Sequence, residues 1–83
     1  MKFIVVNNNL YSLENVQSVK FDKVHVSKGG IRINQPYTTY SQSLIIRYFG
    51  GEESTISFKG YLSKEALAND LVRIFNEICE KLK

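Results

Sequence analysis

The last third of the chain carries the one helical signature in the sequence. Leu67, Leu71, Ile74, Phe75, Ile78 and Leu82 recur at the spacing of one helix face. Ala68, Val72 and Cys79 widen that stripe to an arc of about 160°. Asn69, Arg73, Asn76, Glu77 and Glu80 fill the opposite side. Ser63 suits the N-cap position, and Leu62 with Leu67 fits a hydrophobic staple. Lys81 and Lys83 suit the negative end of the helix dipole. Helix 63–82 must bury its stripe on something built by the residues before it, and those residues read as strands.

Phe3 to Val6 reads as a short strand, apolar on both sides, which predicts burial on both faces or cover from the helix. Asn7-Asn8-Asn9 reads as a turn, because Asn tolerates left-handed dihedrals, and Leu10 to Leu13 pairs back. Val16 to Val26 is a long β-favouring stretch whose phase slips. Val19 and Phe21 share one face while Val24 and Val26 fall on the other, so a bulge near Asp22-Lys23 is needed to keep one apolar face. Ser27-Lys28-Gly29-Gly30 reads as a turn and Ile31 to Asn34 as a strand. Residues 35–43 form the only long polar segment, with Pro36 arguing against a central strand, while the β propensity of its tyrosines and threonines allows part of it to extend the flanking strands. Leu44 to Phe49 and Ser54 to Lys59 are strands around a turn at Gly50–Glu53. Strands at about 2–59 followed by one helix give a single α+β domain over residues 1–83. The expected architecture is an antiparallel β-meander of five or six strands with the C-terminal amphipathic helix packed on one face.

The turns suggest a register. A connection at Ser27–Gly30 pairs Val26 with Ile31, Val24 with Ile33, His25 with Arg32 and Lys23 with Asn34. A turn at Gly51–Glu53 pairs Tyr48 with Ile56 and Ile46 with Phe58. The inner face is then Val24, Val26, Ile31, Ile33, Leu44, Ile46, Tyr48, Ile56 and Phe58. The outer face is Lys23, His25, Arg32, Asn34, Arg47, Thr55, Ser57 and Lys59, with Ile45 and Phe49 among them.

Composition removes several classes of function. The chain has 83 residues, one His, one Cys and no Trp. A lone Cys makes no internal disulfide, and one Cys with one His builds no zinc site, so no metal and no cofactor is expected. Phe3–Val6 is too short for the apolar core of a signal peptide, and no run approaches the ~18 apolar residues of a membrane span. A cytoplasmic protein with no membrane partner is the expectation. Gly29-Gly30 and Gly50-Gly51 look like hairpin turns rather than phosphate loops. Glu52-Glu53 sits in a turn where neighbouring side chains diverge, so catalysis is not expected.

Charge points to the sheet. Lys64, Arg73, Lys81 and Lys83 balance Glu65, Asp70, Glu77 and Glu80, so the net +3 belongs entirely to residues 1–60. Within 20–47, Lys20, Lys23, Lys28, Arg32 and Arg47 face only Asp22. Two uses of such a sheet follow. A wide helix arc and apolar outer residues suit a protein-interaction or self-assembling module, as a homodimer or with a protein partner. Alternatively, Lys23, His25, Arg32, Arg47 and Lys59 would contact phosphates of single-stranded nucleic acid, with Phe49, Tyr37 and Tyr40 stacking on bases. A solvated antiparallel face also carries Lys, Arg and Thr without any ligand.

The pattern Phe3-Ile-Val-Val, then Leu10-Tyr-Ser-Leu-Glu-Asn-Val-Gln-Ser-Val19, a turn-linked meander and a closing helix resembles small uncharacterised bacterial and phage proteins. The layout is also similar to Whirly-like single-stranded nucleic-acid binders and to a shortened pleckstrin-homology-like domain. These resemblances concern the order of elements. They imply a sheet closed by a helix and assign no residue a role.

Overall fold

A computed structural model describes residues 2–29 and 37–83. Among these residues, six antiparallel strands in two sheets precede one C-terminal helix, an α+β arrangement. The strands are β1 (Phe3–Val6), β2 (Asn9–Ser12), β3 (Val16–Phe21), β4 (His25–Gly29), β5 (Tyr37–Tyr48) and β6 (Glu53–Tyr61), and the helix is α1 (Lys64–Leu82).

The first sheet is a hairpin. Val6 pairs with Asn9 around Asn7 and Asn8, whose φ angles are 52° and 66°. Positive φ at both central positions is the geometry whose twist matches paired strands, and Asn bears it at low cost. The asparagine run is therefore a hairpin turn that fixes the β1–β2 register.

The second sheet is organised on β5, the longest strand. On one side β6 pairs with it over Tyr40↔Tyr61 and Gln42↔Phe58 to Arg47↔Glu53. The other side is shared end to end by β3 (Phe21↔Leu44, Val19↔Ile46) and β4 (His25↔Ser41, Val26↔Tyr40). Asp22 N–H donates to Ser43 O at 2.9 Å. Three steps from Asp22 to His25 thus match two steps from Ser43 to Ser41, so an extra residue lies in Asp22–Val24. This is the bulge that the phase slip requires. It returns Val26 to the side of Val19 and Phe21. Asp22 Oδ1 accepts from Lys23 N–H (2.8 Å), and Gln42 Nε2 donates to Asp22 O (2.7 Å).

Other expectations need correction. Ser27, Lys28 and Gly29 continue β4 rather than turning, and Tyr37 to Ser43 extend β5, the strand alternative for the polar segment, over more of its length than expected. Tyr and Thr, both strong strand formers, outweigh the polarity of that segment. His25 faces Ser41 and Val26 faces Tyr40 in place of Arg32 and Ile31. The expected strand Ile31–Asn34, with Arg32, lies outside the described residues. The second turn runs through Phe49, Gly50 and Gly51, and Glu53 opens β6. Ile46 therefore faces Ser54 and Leu44 faces Ile56. Expected and observed registers differ by an even number of residues, so Leu44, Ile46, Tyr48, Ile56 and Phe58 still share one face.

One buried cluster joins the elements: Ile4, Val6 and Leu13 from the hairpin segment, Leu44, Ile46, Ile56 and Phe58 from the sheet, and Leu67, Leu71, Ile74 and Ile78 from α1. Phe21 and Phe75 meet with ring centroids 5.2 Å apart. Ser63 Oγ accepts from the N–H groups of Glu65 and Ala66, the N-cap as read from sequence. The buried stripe is narrower than the apolar arc, since Ala68 and Val72 are exposed. Leu62 is 72% exposed, so the staple does not close.

Val24 and Val26, expected in the core, are exposed as well. β4 pairs with the first part of β5, where only Tyr40 is packed against the buried cluster, and the domain measures 50 × 23 × 20 Å. Its radius of gyration, 15.0 Å, exceeds the roughly 12 Å of a compact chain this long.

Candidate interaction surface

The candidate surface starts from four residues, Phe3-Ile4-Val5-Val6. In a strand, alternate side chains point to opposite faces. Ile4 and Val6 enter the core at 2% and 5% exposure. Phe3 and Val5 point outward, at 45% and 57%. The Asn7-Asn8 turn places Leu10 directly opposite Val5, also outward, at 67% exposure. The expectation that β1 is buried on both faces thus fails. Among the described residues neither the helix nor a third strand covers the outer side, and Phe3, Val5 and Leu10 share it as an apolar face. A shallow depression of about 230 Å³ beside it is lined by Lys2, Phe3, Leu10 and Ser12.

Hydrogen bonding orients the hairpin. Leu13 N–H donates to Lys2 O at 2.9 Å. In an antiparallel ladder a residue turns both its N–H and its C=O to the same side. Lys2, Ile4 and Val6 therefore face β2, and the N–H and C=O groups of Phe3 and Val5 face outward along the free edge of β1. On the far edge of β2, Tyr48 O–H donates to Ser12 O at 2.6 Å.

The described residues among those expected to bind phosphates and bases are divided between the two faces of the sheet and the β5–β6 turn. The outer face of β5 carries Tyr37, Ser41 and Arg47, with His25 across from Ser41 and exposed Lys59 on β6. Ser41 and Arg47 are six residues apart on a straight strand, about 20 Å. Arg47 already has a partner: its Nε and Nη2 reach Glu53 Oε2 at 3.1 and 3.0 Å. Tyr40 lies on the opposite face, half-buried, with Lys64 Nζ 5.6 Å from its ring centre. Phe49 projects from the β5–β6 turn at 67% exposure, and Lys23 sits in the bulge. Arg32 lies outside the described residues. Ile45, expected on the outer face, is half-buried there.

Tyr61 has a distinct environment. Its hydroxyl donates to Asp70 Oδ2 at 2.5 Å, while Arg73 approaches the other oxygen of Asp70 at 3.8 Å. Burial, then the Asp70 carboxylate, pushes the Tyr61 hydroxyl up from 10.0 to about 12, with Arg73 opposing. This network sits between β6 and α1 and ties the sheet to the helix.

Phe3, Val5 and Leu10 were not singled out as a surface by sequence reasoning. The signal was present: a strand apolar on both sides, followed by a turn that offers it a single partner strand. Among the described residues, no three His, Cys, Asp or Glu side chains group so as to hold a metal ion, and no helix is long and apolar enough to cross a membrane. No protein-family model matches the chain, and no curated protein or solved structure matches it.

Proposed function

We propose that the chain is a non-enzymatic protein-interaction or self-assembling module, with the outward face of β1–β2 as its contact surface. The observation that carries this reading is the grouping of Phe3, Val5 and Leu10 on one uncovered side of a two-stranded sheet. Apolar side chains that cluster outside the core gain free energy when a partner removes them from water, at about 25 cal/mol per Å². Contiguous apolar patches on small domains commonly mark interfaces.

Site-specific photocrosslinking in the cells that make the protein tests this. A crosslinker at Leu10 gives defined protein adducts, whereas one at Glu77 on the polar side of α1 does not. Absence of adducts at Leu10, or the same adducts from both positions, overturns the reading.

A second reading is single-stranded nucleic-acid binding. Lys20, Lys23, Lys28 and Lys59 are exposed and make no ion pair among the described residues, which favours it. Titration with single-stranded DNA and RNA at two salt concentrations checks it. Salt-sensitive amide shifts at these lysines and at His25 support it, and silence at low salt removes it.

A further inference from the structure

Strand edges with unpaired backbone groups recruit other strands, and proteins ordinarily guard them with charges, bulges, proline or a covering element. The edges among the described residues differ sharply in this respect. The β3–β4 edge is broken by the Asp22–Val24 bulge and carries Lys20, Lys23 and Lys28. The β6 edge has its own irregularity, where Gly60 takes φ 76°, beside Lys59. The β2 edge is capped at Ser12 O by the Tyr48 hydroxyl. Among the described residues, only β1 has no charge, no bulge, no proline and no hydrogen-bonded neighbour on its outer side.

The β1 edge is also complementary to itself. Its outward N–H and C=O groups belong to Phe3 and Val5. Set a second β1 antiparallel on a two-fold axis through Ile4, and Phe3 of one copy meets Val5 of the other in a hydrogen-bonded pair. Ile4 then faces Ile4 across the axis at the non-hydrogen-bonded position. In this register every outward backbone group of Phe3 and Val5 is satisfied. Phe3 and Val5 of the two copies become cross-strand neighbours on the same outer face, flanked by both Leu10 side chains. Lys2 of each copy falls opposite Val6 of the other, so the like charges lie at opposite ends of the paired segment. A two-fold contact needs a patch that complements itself, and this strand does.

We infer that the chain forms a two-fold dimer by antiparallel β1–β1 pairing about Ile4, fusing two hairpins into one sheet with a continuous apolar outer face. The inference rests on the interaction reading above and names its partner: a second copy. The contact is small, so the dimer is weak and concentration-dependent.

Hydrogen exchange on the full chain, at micromolar and millimolar concentration, reads the pairing directly. Amides of Phe3 and Val5 exchange roughly tenfold more slowly at the higher concentration, while those of Ile4 and Val6, bonded within the hairpin, change little. Sedimentation follows the same samples from monomer to dimer. Val5→Pro removes an outward N–H without touching the β1–β2 ladder and abolishes the dimer. Val5→Thr keeps that N–H and retains it, as does Leu10→Ser, which alters the face but not the edge. Equal exchange of Phe3 and Val5 at both concentrations, or a monomer at millimolar concentration, overturns the dimer. So does a dimer lost in Leu10→Ser and kept in Val5→Pro, which would mean face-to-face packing. Adducts at Leu10 from a chain that stays monomeric would leave the interaction reading standing with a different partner.

Discussion

The Tyr48 hydroxyl donates to the Ser12 carbonyl across 36 residues of chain, and its oxygen also lies 3.1 Å from Ser54 Oγ. This contact joins the end of the small hairpin to the start of the β5–β6 pair. Tyr48→Phe leaves the ring in place and deprives Ser12 O of its donor. The expected cost is about 1 kcal/mol, the usual net worth of one such bond. Urea unfolding checks it: the midpoint falls while the slope is unchanged.

Asn8 tests the hairpin turn. A side chain lacking the local hydrogen bonding of Asn resists a φ of 66°. Asn8→Ala is expected to destabilise by about 1–2 kcal/mol. Asn8→Gly, which makes the favoured Asn-Gly pair, is expected to hold or raise stability. Equal losses in both would mean the turn adopts another geometry in solution.

The Tyr61–Asp70 pair predicts an alkaline weakness. The hydroxyl titrates near 12 in the folded chain against 10.0 as its ordinary value. Its contribution is therefore intact below pH 10.0 and drains away as pH rises towards about 12, because the unfolded chain loses that proton first. Asp70→Asn should bring the phenol back towards its ordinary value. Ultraviolet difference titration against Tyr61→Phe isolates the one tyrosine, and an unmoved curve in Asp70→Asn would refute the account.

Ile46 and Val26 separate the core from β4. Ile46 is 0% exposed, and Ile46→Ala is expected to cost about 2–5 kcal/mol. Val26 is 53% exposed, and Val26→Ala should stay within about 0.5 kcal/mol. Thermal unfolding of the two variants measures the contrast. A comparable loss at Val26 would place β4 inside the cooperative core.

What the sequence revealed depended on how local the governing physics was. Ser63 capping, the asparagine turn and the α1 stripe are each decided within a few residues, and they were readable. So was the bulge at Asp22, because a phase slip leaves a mark on the apolar pattern itself. The faces of β5 and β6 survived a wrong register because the error was even. The turn at Ser27–Gly30 misled because two adjacent glycines look like a tight hairpin, while tyrosine and threonine pairing across β4 and β5 carried the strands further. The outer apolar face of β1–β2 escaped notice for a related reason. Whether a two-sided apolar strand is covered depends on the path of distant elements, which no local pattern encodes. Of the expected binding residues, Arg47 and Tyr40 were taken by Glu53 and Lys64, partners whose proximity only the sheet register and the helix position determine.

The bulge at Asp22–Val24 also acts as an expansion joint. On one side of it β3 is held by the buried pairs of β5. On the other, β4 pairs with the far end of β5, where Tyr40 packs on the edge of the core beneath Lys64 of α1 and Val26 stays exposed. Residues added to or removed from β4 and β5 in matched pairs beyond Val26 and Tyr40 would lengthen or shorten the ladder while every residue before them keeps its face. The protein can thus vary its reach while its fold stays fixed.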